Sequence, residues 1–163
     1  MGAKEIPLDL LQALTLAPQY PSGLAWAVKG KRRIVGGMAG SKTRFGYWCV
    51  RLGDAPGKLY QAHRIVWTIA NGKSPQGFID HIDRNRGNNA IENLRLATRT
   101  ENNQNRIFQG YGIHAPGIYR ARIRVNGRLA HLGLFKTIEE SKAAYIEACN
   151  RLRGGFSPYL EAE

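Results

Sequence analysis

Residues 118–134 constrain the fold more than any other stretch. Two alternating runs meet there at Asn126-Gly127, the first ending at Val125 and the second starting at Arg128. Asn-Gly between such runs is the strongest short-range hairpin signal, because both residues accept the positive φ of a type I′ turn. A two-residue turn sets Val125 opposite Arg128, and that fixes the register. Tyr119, Ala121, Ile123, Val125, Ala130, Leu132 and Leu134 then share one apolar face, while Arg120, Arg122, Arg124 and His131 share the other. An apolar face needs cover, and residues 138–152 predict a helix that supplies it. Thr137 caps that helix with Glu140 three residues on, Ile138, Tyr145, Ala148 and Leu152 form its stripe, and Gly154 ends it. Arginines along the exposed face suit a sheet laid into a DNA groove; an ordinary charged solvent face is the alternative.

Charge favours the first of these. The chain carries a formal net charge of +12 with a sequence pI near 10.2, and so attracts polyanions, nucleic acid first among them. A merely soluble basic protein is the other reading. With 163 residues, 43% of them hydrophobic, the chain can bury the core of one ordinary domain or two small ones. Cys49 and Cys149 stand far apart, outside any C-x-x-C spacing, which argues against a structural zinc site and for free thiols in a reducing compartment. The start MGAKEIPLDLLQAL lacks the apolar run and cleavage site of a secretory signal, and Ile6 stands where a myristoylation signal needs Ser or Thr. No run approaches the roughly 20 apolar residues of a membrane span. The expectation is a cytoplasmic protein with no membrane partner.

Residues 7–16 predict a short amphipathic helix and 24–28 a strand. From Lys29 to Arg51 the chain carries Lys29, Lys31, Arg32, Arg33, Lys42, Arg44 and Arg51, with no acidic residue and with Gly36, Gly37 and Gly40 between them. Such a loop suits phosphate contact, with Arg32, Arg33, Lys42 and Arg44 the candidates, or it is simply solvated. Residues 45–52 and 58–62 predict a hairpin, and HRIVWTIANGK predicts a helix opened by His63 and ended at Gly72. A lone His there is more often structural than a ligand.

The stretch from Ile79 to Asn105 is harder to explain by packing. A strand at Phe78 and Ile79 delivers Asp80 and His81, residues 83–90 form a polar loop, and a second strand turns Leu94 and Leu96 to one side and Asn93 and Arg95 to the other. Thr98 and Glu101 form a T-x-x-E box that starts a helix near Arg99, with Asn102 and Asn105 on one face. Phosphodiester hydrolysis needs an activated water, a cation on the developing charge and a path for the leaving oxygen. A neutral His can take the proton from water. Asp80, completed by amide oxygens of Asn, makes an oxygen-rich site suited to Mg²⁺ or Mn²⁺.

The pieces HRIVW, IDHID and NNAIENLRLATRTENNQN resemble the HNH endonuclease family, in its phage intron-encoded and free-standing homing-type branch, over residues 44–105. The resemblance implies a ββα-metal fold in which His81 is the general base, Asp80 a metal ligand, Asn93 the residue that orients His81, and Asn102 the second ligand. The motif's third letter is Asn102 rather than His, a substitution common in that branch, and it makes the site harder and more suited to Mg²⁺ or Mn²⁺ than to Zn²⁺. Residues 111–159, through YRARIRVNGRLAHLGLFKTIEESKAAYIEACNRLRG, resemble the plant APETALA/ethylene-response-factor DNA-binding domain. That likeness implies a three-stranded sheet in the major groove, packed on one helix, with Arg120, Arg122 and Arg124 toward DNA; the Trp residues usual in its strands are missing. Gly117-Ile118-Tyr119 matches half of a GIY-YIG signature, but no Tyr-Ile-Gly partner follows.

The expectation is therefore an α+β chain: a helix and basic loop over 1–43, an HNH unit over 44–106, and an APETALA-like domain over 107–163. It would hydrolyse double-stranded DNA with one divalent ion, by nicking or by cutting both strands, as a monomer or a dimer and with no protein partner implied. Two rivals stand beside it: a non-catalytic DNA-binding regulator with a vestigial nuclease unit, and an RNA-binding or structural protein.

Overall fold

Pro7 opens a single helical turn, α1 (Leu8–Leu11), and the chain then straightens into β1 (Leu14–Leu16) instead of continuing as the expected helix. β1 has an antiparallel partner in β2 (Leu24–Trp26), with Leu16 opposite Leu24, and so short a helix has too few internal bonds to compete. β2 stops before Val28, which is exposed. These coordinates are a computed structural model that describes residues 5–54, 56–125 and 127–160. The fold is α+β, and contacts divide it into two units, one ending at Thr98 and one beginning at Arg99.

In the first unit the expected hairpin forms. β3 (Ser41–Lys42), β4 (Trp48–Leu52) and β5 (Lys58–Gln61) make an antiparallel sheet with β4 central and Val50 opposite Tyr60. β5 runs straight into α2 (Ala62–Asn71), which Gly72 caps. The apolar side of α2, led by Ile65 and Val66, packs with Leu14, Leu24, Val50 and Leu52, so the N-terminal hairpin shares one core with the central sheet. Arg64 is buried, and its guanidinium donates to the Pro75 carbonyl (3.0 Å) and the Gly77 carbonyl (2.9 Å). Those bonds tie the first turn of α2 to the segment that leads into β6 (Phe78–His81). β6 pairs antiparallel with β7 (Leu94–Ala97), which a 3₁₀ turn at Ile91–Asn93 precedes. The expectation that Leu94 and Leu96 share a core face fails: Leu94 is buried and Leu96 is 46% exposed. In a two-stranded sheet only part of each face is covered, and Ala97 rather than Leu96 completes the buried set.

The second unit opens with α3 (Arg99–Gln104) and continues into a sheet of β8 (Gly112–Ala115), β9 (Ile118–Val125) and β10 (Arg128–Phe135), with β9 central. Val125 pairs with Arg128 as the turn predicts, although Asn126 itself lies outside the described residues, as does the Met1-Gly2 start. The register holds through His131 opposite Arg122 and then shifts at a bulge, so that Gly133, not Leu132, faces Ala121. Beyond the bulge every side chain changes sides. Leu134 therefore lies opposite Arg120 and is exposed, against expectation, and Ala130 is exposed too. Gly133 has φ 143, and a Cβ there would come within 3.1 Å of the Phe135 ring, so the bulge needs glycine.

Thr137 caps α4 (Ile138–Arg153) in the expected box: Glu140 N donates to Thr137 Oγ1 at 3.1 Å and Thr137 N to Glu140 Oε2 at 3.2 Å. The buried stripe is Ser141, Tyr145, Ala148 and Cys149, packed on Ile123. Leu152 was expected in that stripe but is exposed. Arg153 closes this end instead, donating to Tyr145 Oη and the Gln104 carbonyl, each at 3.2 Å. Both cysteines are free and buried, one in each unit.

Candidate active site

β6 carries two polar side chains into buried surroundings. Successive strand residues point to opposite faces, so Asp80 and His81 have separate partners. Asp80 is paired in register with Arg95 on β7, and its Oδ2 accepts from Arg95 Nε (2.9 Å) and Nη2 (2.8 Å). That double contact fixes the orientation of a carboxylate that is only 5% exposed.

On the other face His81, also 5% exposed, lies among two aromatic side chains and an amide. His63, from the first turn of α2, meets it edge-on, with centroids 5.1 Å apart and planes at 84°. Tyr47, in the turn between β3 and β4, is tilted against both rings, 6.2 Å from His81 and 5.6 Å from His63. Asn89 is the amide: its Oδ1 lies 3.1 Å from His81 Nε2. Burial lowers the pKa of His63 to about 3, aided by the charges of His81 and Arg64, so His63 is neutral near pH 7. It is packed, as expected, and it walls the imidazole of His81.

Asn93, expected to orient His81, makes different bonds. Its Oδ1 accepts from the Asp83 backbone N–H (3.0 Å), and its Nδ2 donates to Asp83 Oδ1 (2.9 Å) and to the Asn88 carbonyl (2.9 Å). Its own carbonyl accepts from Ile82 N and closes the β6–β7 connection. Asn93 thus pins the loop that carries Asn89. Asp83 is the loop's hub, taking further hydrogen bonds from Asn85 N (2.7 Å) and Asn88 Nδ2 (2.8 Å). Burial pushes its carboxyl up, but the bonds from Asn88, Asn85 and Asn93 and the nearby His81 outweigh this and hold it below the usual carboxylate range.

The remaining candidates are spread over both units. Asn102 sits half-buried on α3, in the second unit. Arg122, Arg124 and His131 are exposed and Arg120 is half-buried, on the strands whose Ala121 and Ile123 are buried. Arg124 donates to the Gly127 carbonyl at 2.9 Å. In the first unit Arg32, Lys42 and Arg44 are exposed; Arg44 lies over Phe45 at 4.6 Å and Arg33 over Trp26 at 4.2 Å.

Residues 60–104 match the HNH endonuclease family model. The match takes in His63, Asp80, His81, Asn89, Asn93 and Asn102, and leaves Tyr47 and the N-terminal hairpin outside. The chain is 34% identical over 107 residues to an uncharacterised HNH endonuclease of Acanthamoeba polyphaga mimivirus, covering 62% of this chain and 57% of that protein. It is 51% identical over 49 residues to Protein 3.8 of Escherichia phage T7, covering 29% of this chain and 40% of that one. The chain thus spans about half the length of the relatives it matches. No solved structure matches it.

Sequence reasoning missed Asn89, Tyr47 and Arg95. The pairing of Arg95 with Asp80 was within reach, since a register joining Phe78 to Ala97 sets them opposite each other. Asn89 had no such signal, because a loop of repeated Asn, Arg and Gly has no period to show which side chain turns inward.

Proposed function

We propose that the chain is a metal-dependent endonuclease that hydrolyses phosphodiester bonds in double-stranded DNA, with His81 as the general base. The observation that carries this reading is the environment of His81: a buried imidazole with a hydrogen-bonded Nε2, walled by His63 and Tyr47, next to an Arg-braced Asp80. A base held in one orientation takes a proton from water without a reorganisation cost at the moment of reaction.

Among the described residues no group of three His, Cys, Asp or Glu side chains could hold a metal. Hard oxygen donors suit Mg²⁺ or Mn²⁺ better than zinc. Asp80 and Asn102 are the proposed holders of one such ion, both through hard oxygen atoms. When bound, the ion supplies charge stabilisation at the phosphate and the leaving oxygen. Arg95 keeps the Asp80 carboxylate aimed, and Asn93 acts at one remove by pinning the 83–88 loop. The likeness of residues 111–159 to the APETALA/ethylene-response-factor domain supports placing the β8–β10 sheet on DNA through Arg120, Arg122, Arg124 and His131. Arg32, Arg33, Lys42 and Arg44 would meet the phosphate backbone. The homing-type branch and action inside a host bacterium belong to the same proposal, resting on the sequence resemblance and the phage relative.

The test is plasmid nicking with Mg²⁺, Mn²⁺ or EDTA. His81→Ala is expected to lose at least 100-fold in cleavage, the scale of a lost general base, while DNA binding stays near wild type. Full cleavage by that variant would overturn the mechanism, and metal-independent cleavage would remove the ion from it.

A further inference from the structure

We propose that Asn89 is the positioning residue for His81, and that the N-terminal β1–β2 hairpin sets its amide so that Nδ1 of His81 is the basic nitrogen. The inference rests on the reading of His81 as general base and adds which nitrogen acts and what selects it. Asn89 Nδ2 donates to the carbonyl of Ser22 at 3.2 Å. A carbonyl only accepts, so the amide nitrogen must face Ser22, and Oδ1 must face His81. Oδ1 also only accepts, so the His81 Nε2 that lies 3.1 Å away must carry the hydrogen. In the neutral imidazole the lone pair is then on Nδ1.

Burial makes this selection strong. Asn89 is 2% exposed and Ser22 fully buried, so water is a poor substitute for either bond. The opposite tautomer would set a lone pair on Nε2 against one on Oδ1. The Ser22 carbonyl is itself held in place. Ser22 Oγ donates to the Leu24 carbonyl and accepts from Leu24 N, which locks the entry to β2. Gly23, with φ +74, lies against this assembly: a Cβ there would come within 2.9 Å of Val66 Cγ2 and 3.1 Å of the Asn89 carbonyl. The hairpin therefore presses on the loop as closely as a backbone can. The perpendicular His63 ring and the tilted Tyr47 ring restrict rotation of the His81 ring, so the amide meets the same nitrogen throughout. Ser22 lies outside residues 60–104, so the matched stretch does not contain the whole of its own base-setting apparatus.

The test reads the tautomer directly. The full chain, labelled with ¹⁵N-histidine and free of metal and DNA, is examined at alkaline pH by long-range ¹H–¹⁵N correlation. His81 is expected to show a pyrrole-like Nε2 and a pyridine-like Nδ1; the reverse pattern overturns the proposal. Asn89→Ala is expected to give a mixture of tautomers and to lower kcat on the order of 10- to 100-fold with KM for DNA little changed, the scale of a lost orienting partner. A wild-type pattern and kcat in that variant would also overturn it. Asn89→Asp keeps an acceptor for Nε2 but gives up the donor to Ser22, so it should hold the tautomer and recover part of the lost kcat. Should Asn89→Ala not fold, the wild-type spectrum and Asn89→Asp decide the matter, and a mixed tautomer in Asn89→Asp counts against it. Because the spectrum needs neither cleavage nor metal, an inactive protein with the expected tautomer would sink the nuclease reading alone.

Discussion

His63 shows how burial sets the charge of a single side chain. It is 4% exposed, and its Nδ1 has no hydrogen-bond partner among the described residues. Protonating it would place a second cation beside the His81 ring and the Arg64 guanidinium, with Tyr47 the other ring against it. The fold therefore holds it neutral, with a pKa of about 3 against an ordinary value near 6.5. Between those values the unfolded chain binds a proton that the folded chain refuses, so stability falls as pH drops below about 6.5 and goes on falling toward 3. The limiting slope is about 1.4 kcal/mol per pH unit. His63→Phe keeps a ring against His81 and removes the titration. Urea unfolding at pH 7.5, 6.5, 5.5 and 4.5 should show wild type losing stability across the series faster than the variant. Parallel losses would mean that His63 is solvated or paired as it titrates.

At the scale of elements, α4 gives a clean case of local sequence writing local structure. Thr137 and Glu140 satisfy each other's backbone donors, and nothing from elsewhere in the chain is needed to form that box. Thr137→Ala is expected to cost about 1 kcal/mol, seen as a lower denaturation midpoint with an unchanged m-value. Thr137→Asp should retain most of the stability. Elements of this kind were legible in the sequence: the 45–62 hairpin, α2 up to its Gly72 cap, the Val125–Arg128 register, and the delivery of Asp80 and His81 by β6. What was illegible depends on one inserted residue or on a partner far away in the chain. The bulge before Gly133 re-faces Leu134, and its one mark in residues 128–134 is that glycine, which does not by itself tell a bulge from a regular strand position. β1 became a strand because β2 was there to receive it, whereas its own leucines fit a helix as well. The orienting amide followed the same rule. Asn93 stood at a position that the resemblance had named, but the bond to His81 went to Asn89, which reaches it only because Ser22, 67 residues earlier, turns its amide.

For the molecule as a whole, an excess of positive charge is what the two units share. Lys and Arg outnumber Asp and Glu by 24 to 12, and the excess is not confined to either unit. The first holds Arg32, Lys42 and Arg44 in exposed positions, and the second holds Arg122, Arg124 and His131 along two strands. A chain that neutralises several phosphates releases as many condensed counterions, so its affinity falls steeply with salt, with a log–log slope of about −0.9 per phosphate contact. The sheet's share of that slope can be isolated. Arg122→Ala with Arg124→Ala should weaken duplex binding and flatten the slope by about 2, as measured by fluorescence anisotropy over a KCl series. The rate of cleavage at saturating DNA should stay near wild type, because neither arginine belongs to the site around His81. The exposed Leu134 opposite Arg120 and Leu129 opposite Arg124 give the same face an apolar component that salt does not screen. Substituting Leu129 or Leu134 by Ala should therefore lower affinity, if at all, without changing the slope. If the arginine pair leaves the slope unchanged, the sheet does not hold DNA, and the basic segments of the first unit must account for binding alone.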